Sequence, residues 1–257
     1  MTSYFEARAS DSSYVYRIWR GHFDEDNRPV CPANTHWNLL FLRKGSQVRV
    51  AAEGPLTQAL TKFEAQDSEF LVIQLEAGVY MPHLPPDDLA NSAATLPQAA
   101  GERFWLKGAS WQMPTFDNVE TFAERLVRQG LLERDPVVHS VLNGQRAGVS
   151  ERTIRRHFLH GTGMTLNIMQ QIERARQAAN LIEKWVPLVE VALQAGYADQ
   201  AHMTRSLRRY FGQTPTQLLH PDVLQLCPIC SRPGLMLDLC SCCHKQAQTN
   251  LRSVHYA

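Results

Sequence analysis

Two helix–turn–helix patterns follow one another between residues 148 and 219, and this repetition constrains the fold more than any other feature of the chain. In the first pattern Gly148 provides the turn. Ser150 is the expected N-cap, because a serine side chain accepts a hydrogen bond from an amide in the first helical turn. The helix that follows is predicted over residues 151–160, with Ile154 and Phe158 facing inward.

The second pattern has the same order of elements. A short helix is predicted over residues 188–195, and Gly196 follows it with the positive φ that a tight turn between helices requires. Asp199 is the expected N-cap of a second helix over residues 200–210. The predicted inward-facing residues are Val189, Ala192 and Leu193 in the first helix and Met203, Leu207 and Tyr210 in the second.

The stretch that joins the two patterns is predicted to be one long helix over residues 165–184. Pro187 marks its end, because the residue before a proline avoids the helical region. Upstream of the first pattern, residues 136–144 are expected to supply a short helix that stops at Asn143. The apolar positions of the long helix are Leu166, Met169, Ile172, Ala175, Ala178 or Ala179, and Ile182.

Two such units joined by a long helix resemble the DNA-binding domain of the AraC/XylS family of bacterial transcription regulators. A single helix–turn–helix match is weak, whereas two at this separation with a Gly-x-Thr-Pro ending are specific. The family usually has a longer first helix, and commonly an aromatic residue at the position of Leu207. The motifs that carry the resemblance are Ser150-x-x-x-Ile154-x-Arg156-x-Phe158, Gly163, Arg174-x-x-x-Ala178-x-x-Leu181-Ile182, Val191-Ala192-x-x-x-Gly196-Tyr197-x-Asp199 and Arg205-x-x-x-Arg209-Tyr210-Phe211-Gly212-Gln213-Thr214-Pro215.

Polar side chains on the outer face of each second helix are the expected DNA-binding residues. They are Ser150, Arg152, Arg155 and Arg156 in the first unit, and Gln200, His202, Arg205 and Arg209 in the second. Arginine suits guanine edges and glutamine suits adenine edges, while some of these side chains will hold only phosphate. We expect the two helices to read successive major-groove segments of double-stranded DNA, about 34 Å apart.

The distribution of charge supports a nucleic-acid module beside a second module. The whole chain has a net charge of +1. Residues 136–220 contain ten Lys and Arg against five Asp and Glu, whereas residues 1–135 contain 13 against 18. A basic helical half next to an acidic half is typical of a DNA-binding domain attached to a sensing or assembly domain.

The N-terminal half is predicted to be rich in β-strands. Residues 38–42 and 47–51 flank a turn at Gly45 and predict a hairpin, and residues 70–75 predict a further strand. Residues 81–94 contain three prolines and predict a long loop.

A helix is expected to follow these strands. Residues 117–120 match a capping box and open it, with Phe122 and Leu126 facing inward. The order of elements resembles the cupin-like sensing domains that precede the DNA-binding part of many AraC-type regulators. That resemblance implies a small-molecule effector in the N-terminal domain, or dimerisation into a homodimer.

Catalytic patterns are missing from the sequence, so the chain is not expected to be an enzyme. Metal-dependent cupins use a His-x-His pair, whereas His22, His36 and His83 each stand alone and are interpreted as structural residues. No stretch approaches the ~20 apolar residues of a membrane helix, and the polar N-terminus has no signal-peptide core. We therefore expect the protein in the cytoplasm, without contact to a membrane.

The C-terminal tail contains two Cys-x-x-Cys pairs that predict a zinc site. The predicted ligands are Cys227, Cys230, Cys240 and Cys243, whose four thiolates can complete the tetrahedral coordination of a Zn²⁺ ion, with Cys242 or His244 as substitutes. A segment this short cannot bury a useful core, so the metal would supply its folding energy. Two alternatives stay open for the cysteine cluster: a redox- or metal-responsive switch, and an alkyl-accepting thiol protein.

The sequence thus predicts a multi-domain α+β chain that regulates transcription through sequence-specific DNA binding. Residues 1–116 form a β-rich cupin-like sensing or dimerisation domain, and residues 117–135 form a helical linker. Residues 136–220 form an all-α tandem helix–turn–helix domain. Residues 221–257 form a small zinc-binding unit.

Overall fold

The computed structural model of the chain describes residues 4–24, 26, 30–62, 66–84 and 86–219, without the side chains of residues 86 and 87. The strands are Tyr4–Ala9 (β1), Val15–Phe23 (β2), Val30–Cys31 (β3), Asn38–Lys44 (β4), Gln47–Glu53 (β5), Leu60–Thr61 (β6), Ser68–Leu75 (β7), Val79–Tyr80 (β8), Ala93–Leu96 (β9), Gln98–Ala99 (β10), Arg103–Leu106 (β11), Ala109–Gln112 (β12) and Glu133–Arg134 (β13). The helices are Pro86–Leu89 (α1), Val119–Arg128 (α2), Pro136–Leu142 (α3), Glu151–Thr162 (α4), Leu166–Glu183 (α5), Leu188–Gln194 (α6), Gln200–Phe211 (α7) and Pro215–Leu219 (α8).

A six-stranded antiparallel sheet dominates the N-terminal half, in the order β1-β2-β7-β4-β5-β9. The predicted hairpin is confirmed, because Lys44 of β4 pairs with Gln47 of β5 across a turn at Gly45, where φ is 57°. The predicted strand over residues 70–75 is also confirmed, and it extends back to Ser68.

The two faces of this sheet bury different sets of side chains, because successive residues of a strand point to opposite sides. On one face Ile18 joins the main core, which α2 and the three-stranded sheet β10-β11-β12 cover. On the other face Trp19, Phe23, Phe70 and Val72 form a separate aromatic cluster. Helix α2 contributes Val119, Phe122, Ala123 and Leu126 to the main core.

The helical half has a core of its own, arranged around α5. This helix contacts α6, α7 and α8, and its buried residues are those of the predicted apolar stripe except Leu166, which is half-buried. Thr165 caps it at the N-terminus and Lys184 ends it, so the predicted bounds are confirmed. Phe158, Met203 and Leu207 are fully buried in this core, and the burial of each such side chain contributes about 1.5–3 kcal/mol.

Three local predictions were wrong. The loop over residues 81–94 contains a helical turn, α1, and its last two residues already belong to β9. The capping box at α2 does not form, because the Asn118 side chain accepts a hydrogen bond from the Thr115 amide and makes none to the helix. In α6 the buried face is Val191 and Ala192.

The α6 error concerns the two residues that were predicted to face inward with Ala192. Val189 and Leu193 are 73% and 78% exposed. The helix is apolar on several sides, and the contact with α5 selects which side is buried. The prediction of a β-rich domain followed by a helical domain is confirmed. The likeness to cupins and the domain boundaries stay predictions.

Candidate nucleic-acid interface

The first helix–turn–helix unit consists of α3 and α4, which a buried carboxylate connects. Asp135 caps α3, since one of its oxygens accepts hydrogen bonds from the amides of Val137 and Val138 at 2.9 Å. Its other oxygen lies 2.7 Å from Nδ1 of His157 on α4. Gly161 permits this approach, because a Cβ at that position would lie 3.0 Å from the Asp135 Cβ. Asp135 therefore fixes the angle between the two helices.

The second unit consists of α6 and α7, which are joined mainly by apolar contacts. Gly196 adopts a φ of 71° in the turn, as the sequence predicts. Asp199 caps α7 by accepting a hydrogen bond from the His202 amide at 2.6 Å. The hydroxyls of Tyr197 and Ser206 are 2.9 Å apart and tie the turn to α7. Met203, Leu207 and Tyr210 are buried beneath this helix, as predicted.

The predicted DNA-binding side chains are all exposed, and they lie at the start and along the outer face of α4 and α7. They are Ser150, Arg152, Arg155 and Arg156 in the first unit and Gln200, His202, Arg205 and Arg209 in the second. Ser150 caps α4 through the Thr153 amide. Arg155 has only a 3.4 Å contact to the exposed Glu151, and pairs of this kind contribute little. Sequence reasoning did not include Arg208, which is also exposed on α7.

The N-terminal half holds the C-terminal ends of α4 and α7, which we call the outer helices. The amides of Ala33 and Ala59 donate hydrogen bonds to the carbonyls of Tyr210 and Arg209 at 2.7 and 2.8 Å. These bonds satisfy two of the carbonyls that the end of a helix leaves without a partner inside the helix. Gly212 follows with a φ of 68°, and a Cβ there would lie 2.7 Å from a methyl of Val30.

Helix α4 is held in a similar way at its C-terminal end. The His160 ring packs edge-on against Tyr80 of β8, with 5.3 Å between the ring centroids. The outer helices thus rest on the β-rich half through their C-terminal ends and present their N-terminal halves to solvent. DNA-binding helices of this class read base edges with their N-terminal residues.

The predicted zinc ligands cannot be placed. Cys227, Cys230, Cys240, Cys243, Cys242 and His244 lie outside the residues that the structure describes. Within the described ranges, no group of three or more His, Cys, Asp or Glu side chains is arranged to hold a metal ion. None of the helices in those ranges has the length and apolarity needed to cross a lipid bilayer.

Comparison with known proteins supports the assignment of the helical half. Residues 144–220 match the family model of a helix-turn-helix domain. The HTH-type transcriptional regulator RipA of Corynebacterium glutamicum is 36% identical over 69 residues, 27% of this chain and 21% of RipA. RipA of Corynebacterium diphtheriae is 28% identical over 83 residues, 32% of this chain and 25% of that protein. The match thus spans a quarter or less of the length of these curated relatives.

One solved structure with a similar arrangement is ToxT from Vibrio cholerae O395. It covers 84% of this chain and 97% of its own, with 9% sequence identity and a TM-score of 0.39.

Proposed function

We propose that this chain, whose residues 144–220 form an AraC-type helix–turn–helix domain, is a sequence-specific DNA-binding transcription regulator. In this proposal α4 and α7 enter successive major-groove segments. The observation that supports it best is the exposure of all eight polar side chains on α4 and α7 or at their starts, which side chains cap. A helix N-terminus also favours a phosphate, because its free amides and dipole attract negative charge.

Arg205 offers the sharpest test of base reading. It is exposed near the middle of α7, and its guanidinium is expected to meet a guanine edge. Arg205→Ala should cost about 1–3 kcal/mol on a duplex obtained by in-vitro selection and less on random DNA. Fluorescence anisotropy at fixed salt measures both affinities. The matched control is Arg43→Ala, which removes an exposed arginine of the N-terminal half and should change neither affinity.

The role of Arg205 follows from how much affinity Arg205→Ala loses for each of the two kinds of duplex. Equal losses on selected and random duplexes would make it a phosphate contact and would contradict base reading at this position. A phosphate contact would also lower the slope of log affinity against log salt by about 0.9. Neither variant is expected to unfold the domain, because both side chains are exposed.

We also propose that Cys227, Cys230, Cys240 and Cys243 hold a structural Zn²⁺. The support is the spacing of the two pairs, which suits tetrahedral thiolate coordination. Elemental analysis of the full chain is expected to give one zinc per chain, and Cys230→Ser should lose it. A metal-free protein that binds the selected duplex only with reduced thiols would favour the redox switch. A stable mass increase on one cysteine after treatment with a methyl donor would favour the alkyl acceptor.

The N-terminal domain is proposed to sense a small-molecule effector or to form a homodimer. Support comes from its contacts with the ends of α4 and α7, through which a change in this domain reaches the outer helices. Sedimentation equilibrium of the full chain distinguishes a dimer from a monomer.

A further inference from the structure

Tyr197 lies in the turn of the second helix–turn–helix unit and contacts both α5 and α7. It is 7% exposed, and its hydroxyl lies 2.9 Å from that of Ser206 on α7. Its ring packs against the His202 ring with 5.2 Å between the centroids and an angle of 83° between the planes. The Arg174 guanidinium of α5 lies 5.7 Å from the centroid of the Tyr197 ring. The tyrosine ring is therefore held from two helices at once.

His202 is one of the exposed side chains of the proposed DNA-binding surface, and Tyr197 holds its ring. The two rings meet edge to face, a geometry that aromatic pairs favour. The His202 amide donates a hydrogen bond to the Asp199 carboxylate at 2.6 Å, so the helix cap fixes the backbone at the same residue. Both the position and the direction of the imidazole are thus set before any DNA binds.

Other candidate DNA-binding residues are not held in this way. Within the residues that the structure describes, the side chains of Gln200 and Arg205 have no hydrogen bond, ion pair or ring contact. In the first unit the third residue after the cap is Thr153, whose hydroxyl lies 3.0 Å from that of Ser150. The ring pair at the start of α7 is therefore a difference between the two units.

The direction of the His202 ring matters because of what an imidazole offers to DNA. A neutral imidazole has one hydrogen-bond donor and one acceptor at fixed positions on its ring. Base edges in the major groove present fixed patterns of donors and acceptors. A mobile side chain loses rotamer freedom when it binds, which weakens binding by about two- to tenfold. A ring that Tyr197 already holds loses less, so the contact favours the one base edge that the held ring can reach.

We propose that Tyr197 is a positioning residue for sequence recognition. It directs the His202 imidazole at one base pair, and Arg174 steadies the Tyr197 ring through its cation, since a guanidinium group within about 6 Å of an aromatic centroid is attracted to the ring. This role rests on the proposed DNA-binding function. Tyr197 acts through His202, because its own side chain is buried.

Two substitutions of Tyr197 separate its ring from its hydroxyl. Tyr197→Leu removes the ring contact with His202, whereas Tyr197→Phe keeps the ring and removes only the hydroxyl. Fluorescence anisotropy measures the affinity of each full-chain variant for the selected duplex and for duplexes with one base pair changed at a time. His202→Ala identifies the base pair that His202 reads. Tyr197→Leu should lose about three- to tenfold of the discrimination at that base pair and none elsewhere, and Tyr197→Phe should retain the wild-type pattern.

The pattern of losses tells positioning from general stabilisation. An equal loss at every base pair would mean that Tyr197 only stabilises the domain, and it would overturn the proposal. Full additivity of Tyr197→Leu and His202→Ala would overturn it too, because residues that act through one contact are not additive. A loss by Tyr197→Phe as large as that by Tyr197→Leu would assign the effect to the hydroxyl and contradict a role of the ring.

Arg174→Gln provides a second variant if Tyr197→Leu fails to fold. It removes the cation beside the tyrosine ring and should lower discrimination at the same base pair about twofold or more. The matched control is Arg176→Gln on the same helix, because Arg176 pairs with Glu173 at 2.8 Å and lines a cavity against the sheet. This control should leave discrimination unchanged. An equal effect of the two arginine variants would contradict the support of Tyr197 by Arg174.

NMR of the full chain labelled at histidine tests the ring contact without DNA. The His202 ring resonances, identified by their loss in His202→Ala, should move in Tyr197→Leu and stay in place in Tyr197→Phe, because either aromatic ring has a ring current. Resonances that do not move in Tyr197→Leu would overturn the inference. A chain that selects DNA and keeps full discrimination in Tyr197→Leu contradicts the inference alone. A folded chain that keeps the ring contact but selects no DNA contradicts the proposed function, and the recognition role of Tyr197 with it.

Discussion

The two helix–turn–helix units have the same dimensions but are stabilised in different ways. Each has a first helix of seven residues and a second of twelve. In the first unit a buried carboxylate, Asp135, caps one helix and bonds to the other. In the second unit α6 begins after Pro187, which gives it no side-chain cap, and the buried residues of α7 provide the contact. Helices of the same lengths are thus held together through a polar contact in one unit and through apolar burial in the other.

The largest expected difference between the units concerns their capping aspartates. Asp135→Ala should lower the free energy of unfolding by about 2–4 kcal/mol, because it removes both a cap and a buried partner of His157. Asp199→Ala removes a cap alone and should cost about 1 kcal/mol. Urea denaturation of both variants measures the difference. Equal losses would mean that Asp135 acts only as a cap.

A smaller effect concerns Glu183 at the end of α5, next to the second unit. Burial raises its pKa to about 7 from an ordinary value of 4.5. The folded chain therefore binds this proton more tightly than the unfolded chain. The extra stability that the folded chain gains by holding this proton is fully present below pH 4.5 and is lost as the pH rises through 7.

Glu183→Gln removes this dependence on pH. The variant should be more stable than the wild type by about 1 kcal/mol at pH 8, a modest value because water screens a half-exposed carboxylate. At pH 4 the two should be equally stable in thermal unfolding. Glu190→Gln, at an exposed position of α6, is the control. A gain of the same size at pH 4 would show that ionisation is not the cause.

The smallest effect is expected on the exposed side of α6. Leu193→Gln should change stability by less than about 0.5 kcal/mol, since this side chain is mostly exposed. Val191→Ala, on the buried side of the same helix, should cost more than 1 kcal/mol. Chemical denaturation of both variants tests which face packs against α5. A larger loss for Leu193 would mean that another surface covers it.

Sequence reasoning succeeded where the signals are local. The bounds of α5 followed from a long apolar periodicity together with Thr165 and Pro187, and the start of α7 followed from Asp199. Helix α6 failed because five of its seven residues are aliphatic or alanine, so a short periodicity does not choose a face. The α5 contact makes that choice.

Contacts between residues that are far apart in the chain could not be predicted from the sequence. Asp135 and His157 are 22 positions apart, and no local pattern in the sequence joins them. A cavity between the main sheet and the helical half is lined by Arg17 and Arg176, which come from opposite halves of the chain. The exposed polar residues of α4 and α7 were found because they lie at fixed offsets from the two turns.

In-vitro selection of random duplex DNA by the zinc-loaded full chain tests the central claim most directly. Because two recognition helices on one face of DNA are about one helical turn apart, we predict a bipartite site with two short blocks about 10 base pairs apart. Enrichment of a single block would contradict the claim that both units read DNA. Absence of any enrichment by the folded protein would contradict sequence-specific binding by the chain alone.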